Sequence, residues 1–393
     1  MAQMLVPLIH GNRIGTRSLA VLWRSRRLFA LSSLLRPLLS GLPYPQCVAN
    51  KLPEFRHTAK RGELALLSQI RSRAARSAAG GLRLGIGDDC ALVAPRRGEE
   101  LAVTTDLSIA GRHFRLDWHP PESVGHRALA RGMSDLAAMG ARPVAAFLSL
   151  GLPRELTVAA GRRPAWVTRF YDGLLALAAE YKVPLAGGDL AESPIAVADI
   201  VLVGAVPRGR ALLRSGARAG DLLYVTGALG GAAAGLAGLG ELAAAQKPVL
   251  SHPLRISTRE KAMLAPHLWP QPRVSQGLWL QRRGMATAAL DLSDGFSTDL
   301  AHLCEESGVA AEVDAGRMPI RAGATLQQAL HGGEDYELLF AAKASARVPR
   351  SIGGVGITRI GRIVKSRAGL ASMTLVTEQG QKPLEARGWE HFS

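Results

Sequence analysis

The sequence has few cysteines, few aromatic side chains and no apolar stretch long enough to cross a bilayer. Only 3 of its 393 residues are cysteine, and 5% are aromatic. So few and so widely spaced cysteines exclude a disulfide framework or a cysteine-based zinc site and indicate a reducing compartment. The low aromatic content argues against base stacking on single-stranded nucleic acid. The apolar stretch at residues 28–42 contains Arg36 and Pro37 and is shorter than the roughly 18 to 20 residues of a membrane span. We therefore predict a cytoplasmic protein with no membrane and no nucleic-acid partner.

The common nucleotide-binding loops are absent as well. The sequence contains no Gly-x-x-x-x-Gly-Lys-Ser/Thr loop and neither the His-Arg-Asp nor the Asp-Phe-Gly motif of protein kinases. Residues 227–231, Gly-Ala-Leu-Gly-Gly, follow a predicted strand and are similar to part of a dinucleotide-binding turn. The third glycine is not at the required spacing, so close packing of a helix on a strand is the preferred interpretation. A nucleotide site in this chain must therefore be of another kind.

Acidic residues are scarce in one part of the chain, and this scarcity accounts for much of its net charge of +16. Residues 1–60 contain nine Lys or Arg and a single acid, Glu54, whereas the rest carries 39 basic and 31 acidic side chains. Three interpretations of this basic leader stay open: a targeting peptide, a tail that touches membranes or RNA, and a disordered or wrongly translated segment. If the leader is a binding tail, deleting residues 1–60 should abolish that binding, whereas an enzymatic activity of the remaining chain should survive. The excess of base in the remainder suits anionic metabolites such as nucleotides.

The length of the chain and the alternation of its elements predict a two-domain α/β protein. A chain of 393 residues exceeds what one hydrophobic core usually supports. A Gly/Arg-rich stretch, Pro207 to Gly220, is the expected boundary. We predict a leader at 1–60, an N-terminal domain at 61–208 and a C-terminal α/β domain at 209–393.

Hydrophobic periodicity predicts the main helices and strands. Leu129, Met133 and Leu136 share one face of a predicted helix that Gly140 follows. The predicted helices are Glu63 to Ala75, Pro120 to Ala138, Ala165 to Tyr181 and Phe296 to Ser307. The predicted strands are Leu84 to Val93, Glu100 to Asp106, Val183 to Gly187, Ile195 to Val206, Leu222 to Thr226, Thr287 to Leu290, Ala310 to Val313, Tyr336 to Ala341 and Gly356 to Ile363.

Aspartates recur where predicted strands end and where glycines allow a turn. Any one of them could be an ordinary turn residue, helix cap or solvated charge. Asp135 is the least obvious, because it lies off the apolar face of its helix, where side chains usually meet solvent. Their number favours a common role. The set comprises Asp88, Asp89, Asp106, Asp135, Asp189, Asp291 and Asp294.

Converging carboxylates repel one another unless cations neutralise them, so this set predicts hard metal ions, Mg²⁺ before Ca²⁺. Magnesium commonly bridges a few carboxylates to substrate phosphates while it keeps some waters. Phosphoryl transfer is therefore the chemistry that the set favours. Zinc is disfavoured because no Cys/His cluster supports the oxygen ligands.

An ordered series of motifs resembles the thiamine-monophosphate kinase family. The resemblance covers about residues 62–392, and the order of seven motifs makes it specific. The motifs are Gly-Ile-Gly-Asp-Asp-Cys-Ala-Leu at 85–92, Thr-Thr-Asp at 104–106 with Gly-Arg-His-Phe at 111–114, Ser-Asp-Leu-Ala-Ala-Met-Gly-Ala at 134–141, Gly-Gly-Asp at 187–189, Gly-Arg-Ala-Leu-Leu-Arg-Ser-Gly at 209–216, Asp-Leu-Ser-Asp-Gly at 291–295 and Gly-Gly-Glu-Asp-Tyr-Glu-Leu at 332–338.

The resemblance implies a fold shared with aminoimidazole ribonucleotide synthetase and selenophosphate synthetase, with an N-terminal sheet domain that forms a homodimer and a C-terminal α/β domain. It also implies that the chain phosphorylates thiamine monophosphate to thiamine diphosphate with ATP and several Mg²⁺ ions. The implied magnesium ligands are Asp89, Thr104, Thr105, Asp106, Asp135, Asp189, Asp291 and Asp294. The implied ATP contacts are Gly188, Asp189, Arg214 and Ser293, and the implied contacts on the thiamine side are His113, Glu334 and Trp389.

Outside the family pattern, these last residues have ordinary alternatives. His113 could be a surface loop residue, Glu334 an exposed turn, Trp389 a packing residue and Arg214 a solvated linker charge. Leu190 departs from the family, which usually has a hydroxyl residue after Gly-Gly-Asp. A sister reaction of the same fold, such as selenophosphate or aminoimidazole ribonucleotide synthesis, is the alternative function.

The expected chemistry is direct in-line transfer of the γ-phosphoryl group. A phosphate oxygen of thiamine monophosphate is already ionised near pH 7, so no general base is expected. No phospho-enzyme is expected either, and no residue is assigned a catalytic role beyond holding metal and substrates.

Overall fold

A computed structural model of the chain describes residues 63–74, 81–159, 161, 164–366, 369, 372–390 and 392. These residues belong to one compact unit. The basic leader at 1–60 lies outside the described residues, so its three interpretations and the predicted domain limits stay predictions. No helix in the described part of the chain is both long and apolar enough to cross a membrane.

The first half of the described chain is a four-stranded sheet with helices packed against one face. Its strand order is β3-β6-β4-β5, and the parallel pair β4 and β5 is connected through α3, as parallel neighbours require. A separate hairpin, β1 with β2, precedes this sheet. The elements are α1 (Glu63–Ala74), β1 (Leu82–Leu84), β2 (Leu92–Val93), β3 (Glu99–Ile109), α2 (Pro121–Ala138), β4 (Arg142–Leu152), α3 (Trp166–Glu180), β5 (Leu185–Glu192) and β6 (Val197–Pro207).

Helix α2 contacts elements of both halves of the described chain. The predicted apolar face is confirmed, because Leu129, Met133 and Leu136 are almost completely buried. Pro121 stands in the first helical turn, where its missing N–H leaves no helical bond unmade. Gly140 follows the helix with a φ of 63°, a left-handed conformation that ends helices readily.

Three predicted strand assignments in this half are corrected. The single strand expected from Leu84 to Val93 is two short strands separated by the Gly-Asp-Asp turn, because glycines and aspartates favour a turn there. Asp106 does not end its strand, since β3 pairs with β6 without interruption as far as Ile109. Asp189 lies within β5 rather than after it. In both strands a polar residue inside the strand predicts a strand end that the structure does not have.

The second half is a mixed sheet flanked by helices. Seven strands run in the order β14-β13-β9-β12-β7-β10-β8, and β11 pairs with β12 beside them. The predicted helix Phe296 to Ser307 is confirmed at both ends, whereas α4, α5, α6 and α8 were not predicted. The elements are β7 (Leu222–Thr226), α4 (Gly231–Gln246), α5 (Thr258–Leu268), α6 (Val274–Arg283), β8 (Ala288–Asp291), α7 (Phe296–Ser307), β9 (Ala310–Asp314), α8 (Leu326–His331), β10 (Leu338–Ala342), β11 (Ser351–Ile352), β12 (Val355–Val364), β13 (Met373–Thr377) and β14 (Gly380–Pro383).

The two halves share apolar contacts around α2. Leu136 of α2 belongs to the same buried cluster as Leu280 of α6 and Phe340 of β10. Helices α2 and α6 pack with their backbones close together, because a β-carbon built at Gly277 would lie 1.9 Å from the carbonyl oxygen of Ala137. This packing also brings α2 into contact with β8.

Glycines allow equally close packing between α2 and α3. We expect Gly125→Ala and Gly173→Ala each to lower the free energy of unfolding by about 3 kcal/mol or more, at or above the usual range for overpacking. The added β-carbon at Gly125 would lie 1.9 Å from the carbonyl oxygen of Phe170, and at Gly173 it would lie 1.8 Å from that of Glu122. Urea unfolding measures the effect.

The matched control is Gly240→Ala in α4, where a β-carbon would have no neighbour within 4 Å. This change should stabilise the protein by about 0.5–1 kcal/mol, because alanine is the better helix former. Equal unfolding curves for all three variants would contradict the packing argument.

Candidate active site

A cavity of about 850 Å³ lies between the two halves. Its walls come from β3, the loop after it, α2, α4, the turn after β8 and the segments around residues 331–336 and 387–389. We call it the main cavity. It collects most of the predicted metal and substrate residues, namely Asp106, His113, Asp135, Asp291, Ser293, Asp294, Glu334 and Trp389.

Three carboxylates from different elements converge on the main cavity. Burial and, after it, the charge of the neighbouring Asp135 raise the pKa of Asp106 to about 7. Burial also raises the pKa of Asp135, although the hydroxyl of Thr104 donates a hydrogen bond to it. The pKa of Asp291 is raised well above its ordinary value by complete burial and by Asp135. Charged carboxylates in this position therefore need cations close by.

The position of Asp135 is set by tertiary structure. An aspartate off the apolar face of a helix ordinarily meets solvent, but here that side of α2 faces the main cavity. Its neighbour Ser134 is fully buried and donates a hydrogen bond of 2.7 Å to Oδ2 of Asp291. Of these two consecutive residues of α2, Asp135 is one of the three carboxylates and Ser134 holds another of them, Asp291.

These carboxylates suit a magnesium ion that is shared with substrate phosphates. Oδ2 of Asp106 is buried and has no hydrogen-bond partner, so a cation could occupy its free coordination site. In the described residues, no three His, Cys, Asp or Glu side chains form a complete metal-ligand group. Magnesium commonly takes one or two protein carboxylates and fills its other positions with phosphate oxygens and water.

A residue that the sequence interpretation missed holds the Asp291 to Gly295 turn in place. Oδ2 of Asp299 accepts hydrogen bonds from the backbone N–H groups of Asp294 and Gly295, at 3.1 and 3.0 Å. Burial, followed by the charge of Asp294, raises the pKa of Asp299 to about 7. Its position in the first turn of α7 was the available signal, because acidic residues favour that position.

The Gly-Gly-Glu-Asp-Tyr-Glu-Leu segment sends successive carboxylates to different partners. Asp335 accepts hydrogen bonds from the N–H groups of Gly230 and Ala232, at 2.6 and 3.0 Å. These N–H groups at the start of α4, which have no partner within the helix, are therefore bound by the protein itself and not left for a phosphate. Glu337 forms two hydrogen bonds of 2.5 Å with Arg273 and accepts a third from Thr226.

Glu334 is held by a buried cluster of Arg127, His267 and His119. Arg127 donates to both carboxylate oxygens of Glu334 at 2.6 Å and also to Nε2 of His267 at 3.0 Å. Nδ1 of His119 accepts the backbone N–H of Arg115, which leaves the proton on Nε2, 3.0 Å from His267. Burial and the charge of Arg127 lower the pKa of His119 to about 3, and they also lower the pKa of His267. Both imidazoles are therefore neutral.

A second group of predicted residues lies in a separate groove of about 410 Å³, lined by the turn after β1 and by part of β5. Asp89, Gly188 and Asp189 belong to this groove, and both aspartates are exposed. Only glycine fits at position 188, because its φ is 141° and a β-carbon would lie 1.9 Å from the carbonyl oxygen of Leu148. Leu190 donates its backbone N–H to Asp189, so no hydroxyl is needed for that bond.

The alternation of side chains along the strands separates these two groups. Thr104 and Asp106 are half-buried on the helix-covered face of the sheet, whereas Thr105 between them is exposed on the outer face. Asp189 of β5 is paired with Ser149 of β4, and Ser149 is paired with Asp199 of β6. Asp199 is in turn paired with Leu107 of β3, and paired residues of neighbouring strands lie on the same face of a sheet. Asp189 is therefore aligned with the outer-face residues and not with Asp106.

Arg214 lies in the segment between the halves and is exposed. Its charge lowers the pKa values of Asp135 and Asp299, although burial raises both overall. The guanidinium is therefore close enough to act on the carboxylates of the main cavity. The assignments of all predicted site residues to particular ligands stay predictions.

The neutral histidine pair predicts an acid-sensitive structure. The unfolded chain binds a proton on His119 near pH 6.5, but the folded chain does so only near pH 3. The free energy of unfolding should therefore fall by about 1.4 kcal/mol for each pH unit below about 6 on account of this residue. In His119→Gln this contribution is absent. Urea unfolding between pH 7 and pH 5 should show a shallower acid loss for the variant than for the wild type.

The exposed His252, replaced by glutamine in the same way, is the matched control. Parallel pH curves for the wild type and His119→Gln would mean that His119 is not held neutral.

Comparison with known proteins adds independent findings. The model of AIR synthase related protein, N-terminal domain, matches residues 87–207, and that of AIR synthase related protein, C-terminal domain, matches residues 218–371. A thiamine-monophosphate kinase from Salmonella typhimurium is 37% identical over 346 residues, which cover 84% of this chain and 98% of that protein.

Two solved structures are similar over nearly their whole length. The crystal structure of thiamine-monophosphate kinase from Stenotrophomonas maltophilia K279a is 35% identical, covers 83% of this chain and 98% of its own, and has a TM-score of 0.65. The structure of AaThiL complexed with AMPPCP and TMP is 28% identical, covers 86% of this chain and all of its own, and has a TM-score of 0.63.

Proposed function

The chain belongs to the thiamine-monophosphate kinase family, and we propose that it transfers the γ-phosphoryl group of ATP to thiamine monophosphate and so makes thiamine diphosphate. The predicted family and its two-domain α/β fold are thereby confirmed. AaThiL is a complex with AMPPCP and TMP, and we take these ligands to correspond to the two substrates here. No observation favours the sister reactions of the same fold.

The convergence of Asp106, Asp135 and Asp291 in the main cavity carries this proposal. These three carboxylates, of which Asp291 is buried and the other two are partly buried, would repel each other and the phosphates of both substrates unless cations were present. These residues, together with Asp294, would hold the magnesium ions. When bound, Mg²⁺ neutralises the substrate phosphates and polarises the phosphoryl group for in-line attack.

Apart from holding metal ions, the chain would bind the two substrates and orient them for transfer. The phosphate of thiamine monophosphate is already ionised near pH 7, so no side chain has to accept a proton. His113, Glu334 and Trp389 would contact the thiamine side, and Ser293 and Arg214 would contact ATP. Arg127 holds the carboxylate of Glu334 in a fixed direction. Positioning and electrostatic stabilisation would thus supply most of the rate enhancement.

The proposal predicts thiamine diphosphate from ATP, Mg²⁺ and thiamine monophosphate with the full purified chain, and no product from free thiamine. Chromatography of the products measures this. Asp135→Asn should lower kcat by about 100-fold or more, a range typical for groups that stabilise transition-state charge. Asp172→Asn is the matched control, because Asp172 is exposed and pairs with Arg73 away from the main cavity. Product from free thiamine alone would overturn the assignment.

We also propose that the chain forms a homodimer through the outer face of the four-stranded sheet. Leu101, Val103 and Leu107 alternate along β3 and leave 45%, 62% and 47% of their surface exposed. An apolar sheet face of this kind ordinarily packs against another layer. Thr105 and Asp189 are aligned with this face and Asp89 lies in the groove beside it, so these three predicted ligands would be near the interface.

The dimer proposal predicts that Val103→Asp converts the protein to monomers at micromolar concentration, because a charge would be buried without a partner. Sedimentation velocity measures the mass. Val158→Asp is the matched control, since Val158 is also 62% exposed but lies outside the sheet. A wild type that sediments as a monomer would contradict the proposal.

We place this chain in the cytoplasm. Of the described cysteines, Cys90 is exposed and Cys304 buried, and both are free thiols, as in a reducing compartment.

A further inference from the structure

Arg131 lies in the main cavity and was not among the predicted site residues. It stands on the cavity-facing side of α2, one turn after Arg127 and one turn before Asp135. Its side chain is 17% exposed. An arginine buried to this extent is normally held by good hydrogen bonds or ion pairs.

The guanidinium of Arg131 is only weakly held in this structure. Nη1 donates to Oγ of Ser108 at 3.4 Å, and Nη2 is 3.5 Å from Oδ1 of Asp106. Nε is buried without a hydrogen-bond partner. Both contacts are long compared with the roughly 2.7–2.9 Å of a charge-assisted bond. Most of the donor capacity of this side chain is therefore unused.

Arg127 shows what a fully engaged arginine looks like in the same helix. Its Nη2 donates to both oxygens of Glu334 at 2.6 Å, and its Nη1 donates to His267. The negative charge of Glu334 is thus already paired with Arg127. Arg131, by contrast, is paired in the described part of the chain with one carboxylate, that of Asp106, over the longer distance of 3.5 Å.

The place of Arg131 in the cavity indicates what it binds. On one side it is next to Asp106 and close to Asp135, which would hold metal ions. On the other side it shares a small pocket with His113, which would contact the thiamine side. Arg131 therefore lies between His113 and the carboxylates Asp106 and Asp135, within reach of a molecule that contacts both.

We propose that Arg131 binds the phosphate of thiamine monophosphate and thereby distinguishes this substrate from free thiamine. The inference rests on the proposed function. A planar guanidinium with free donors suits two oxygens of a phosphate. As a fixed cation, Arg131 also reduces the repulsion between the acceptor phosphate and the carboxylates of the main cavity.

The test compares binding of thiamine monophosphate with binding of thiamine, by isothermal titration calorimetry with the full chain in Mg²⁺ and again in EDTA. For Arg131→Met we expect the affinity for thiamine monophosphate to fall by about 10- to 100-fold, the usual loss for a hydrogen-bonded charge. The affinity for thiamine and the KM for ATP should change less than about twofold. The affinity of Arg131→Lys for thiamine monophosphate should lie between those of the wild type and Arg131→Met, because lysine keeps the charge but lacks the planar set of N–H donors of a guanidinium.

Arg115→Met is the matched control in the same cavity. Arg115 already donates to Asp117 through Nε and Nη2, at 3.2 and 3.1 Å, so its loss should leave the ratio of the two affinities unchanged. Because the ratio is measured within one protein, a partly destabilised variant still gives a valid result.

The outcomes separate this inference from the proposed function. If the wild type makes thiamine diphosphate but Arg131→Met keeps the wild-type ratio, or loses affinity for both ligands equally, Arg131 is only a counter-ion for Asp106 and the inference is wrong. If the wild type neither makes thiamine diphosphate nor prefers thiamine monophosphate over thiamine, the proposed function fails and this inference fails with it.

Discussion

The main cavity is organised by repulsion among buried carboxylates. Asp106, Asp135 and Asp291 come from three elements and are brought together where solvent cannot screen their charges. Thr104 and Ser134 donate hydrogen bonds to two of them but add no positive charge. A folded chain with this feature is stable with protons or cations in the cavity, and cations that carry phosphates are the partners its chemistry favours.

Three other acidic residues near the cavity are bound by donors of the protein itself. Glu334 is paired with Arg127 and Glu337 with Arg273, each through two short hydrogen bonds. Asp335 is bound by backbone N–H groups at the start of α4. The chain therefore contains two kinds of carboxylate, those fixed by its own donors and those left for metal ions. The first kind stabilises the fold around the cavity, and the second kind is available to bind metal ions.

Close helix packing makes that division possible. Gly125 of α2 and Gly173 of α3 let the two backbones approach, and Gly277 does the same between α6 and α2. Helix α2 is consequently fixed on both sides, and its cavity-facing residues recur at intervals of four. A group held on a rigid helix loses little entropy when it binds substrate, which favours precise positioning of phosphates.

The sequence by itself determined the local features and the family. Periodicity located the helix Phe296–Ser307 and the buried face of α2, and the ordered aspartate motifs predicted the kinase family, because these signals are carried by residues near one another in the chain. Tertiary structure decided which of those residues meet. Arg127 and Glu334 are 207 positions apart, and no local pattern links them. The two-residue period of a strand turned Asp106 toward the main cavity and Thr105 away from it, and only the packing of α2 on the sheet made one of those faces the inside.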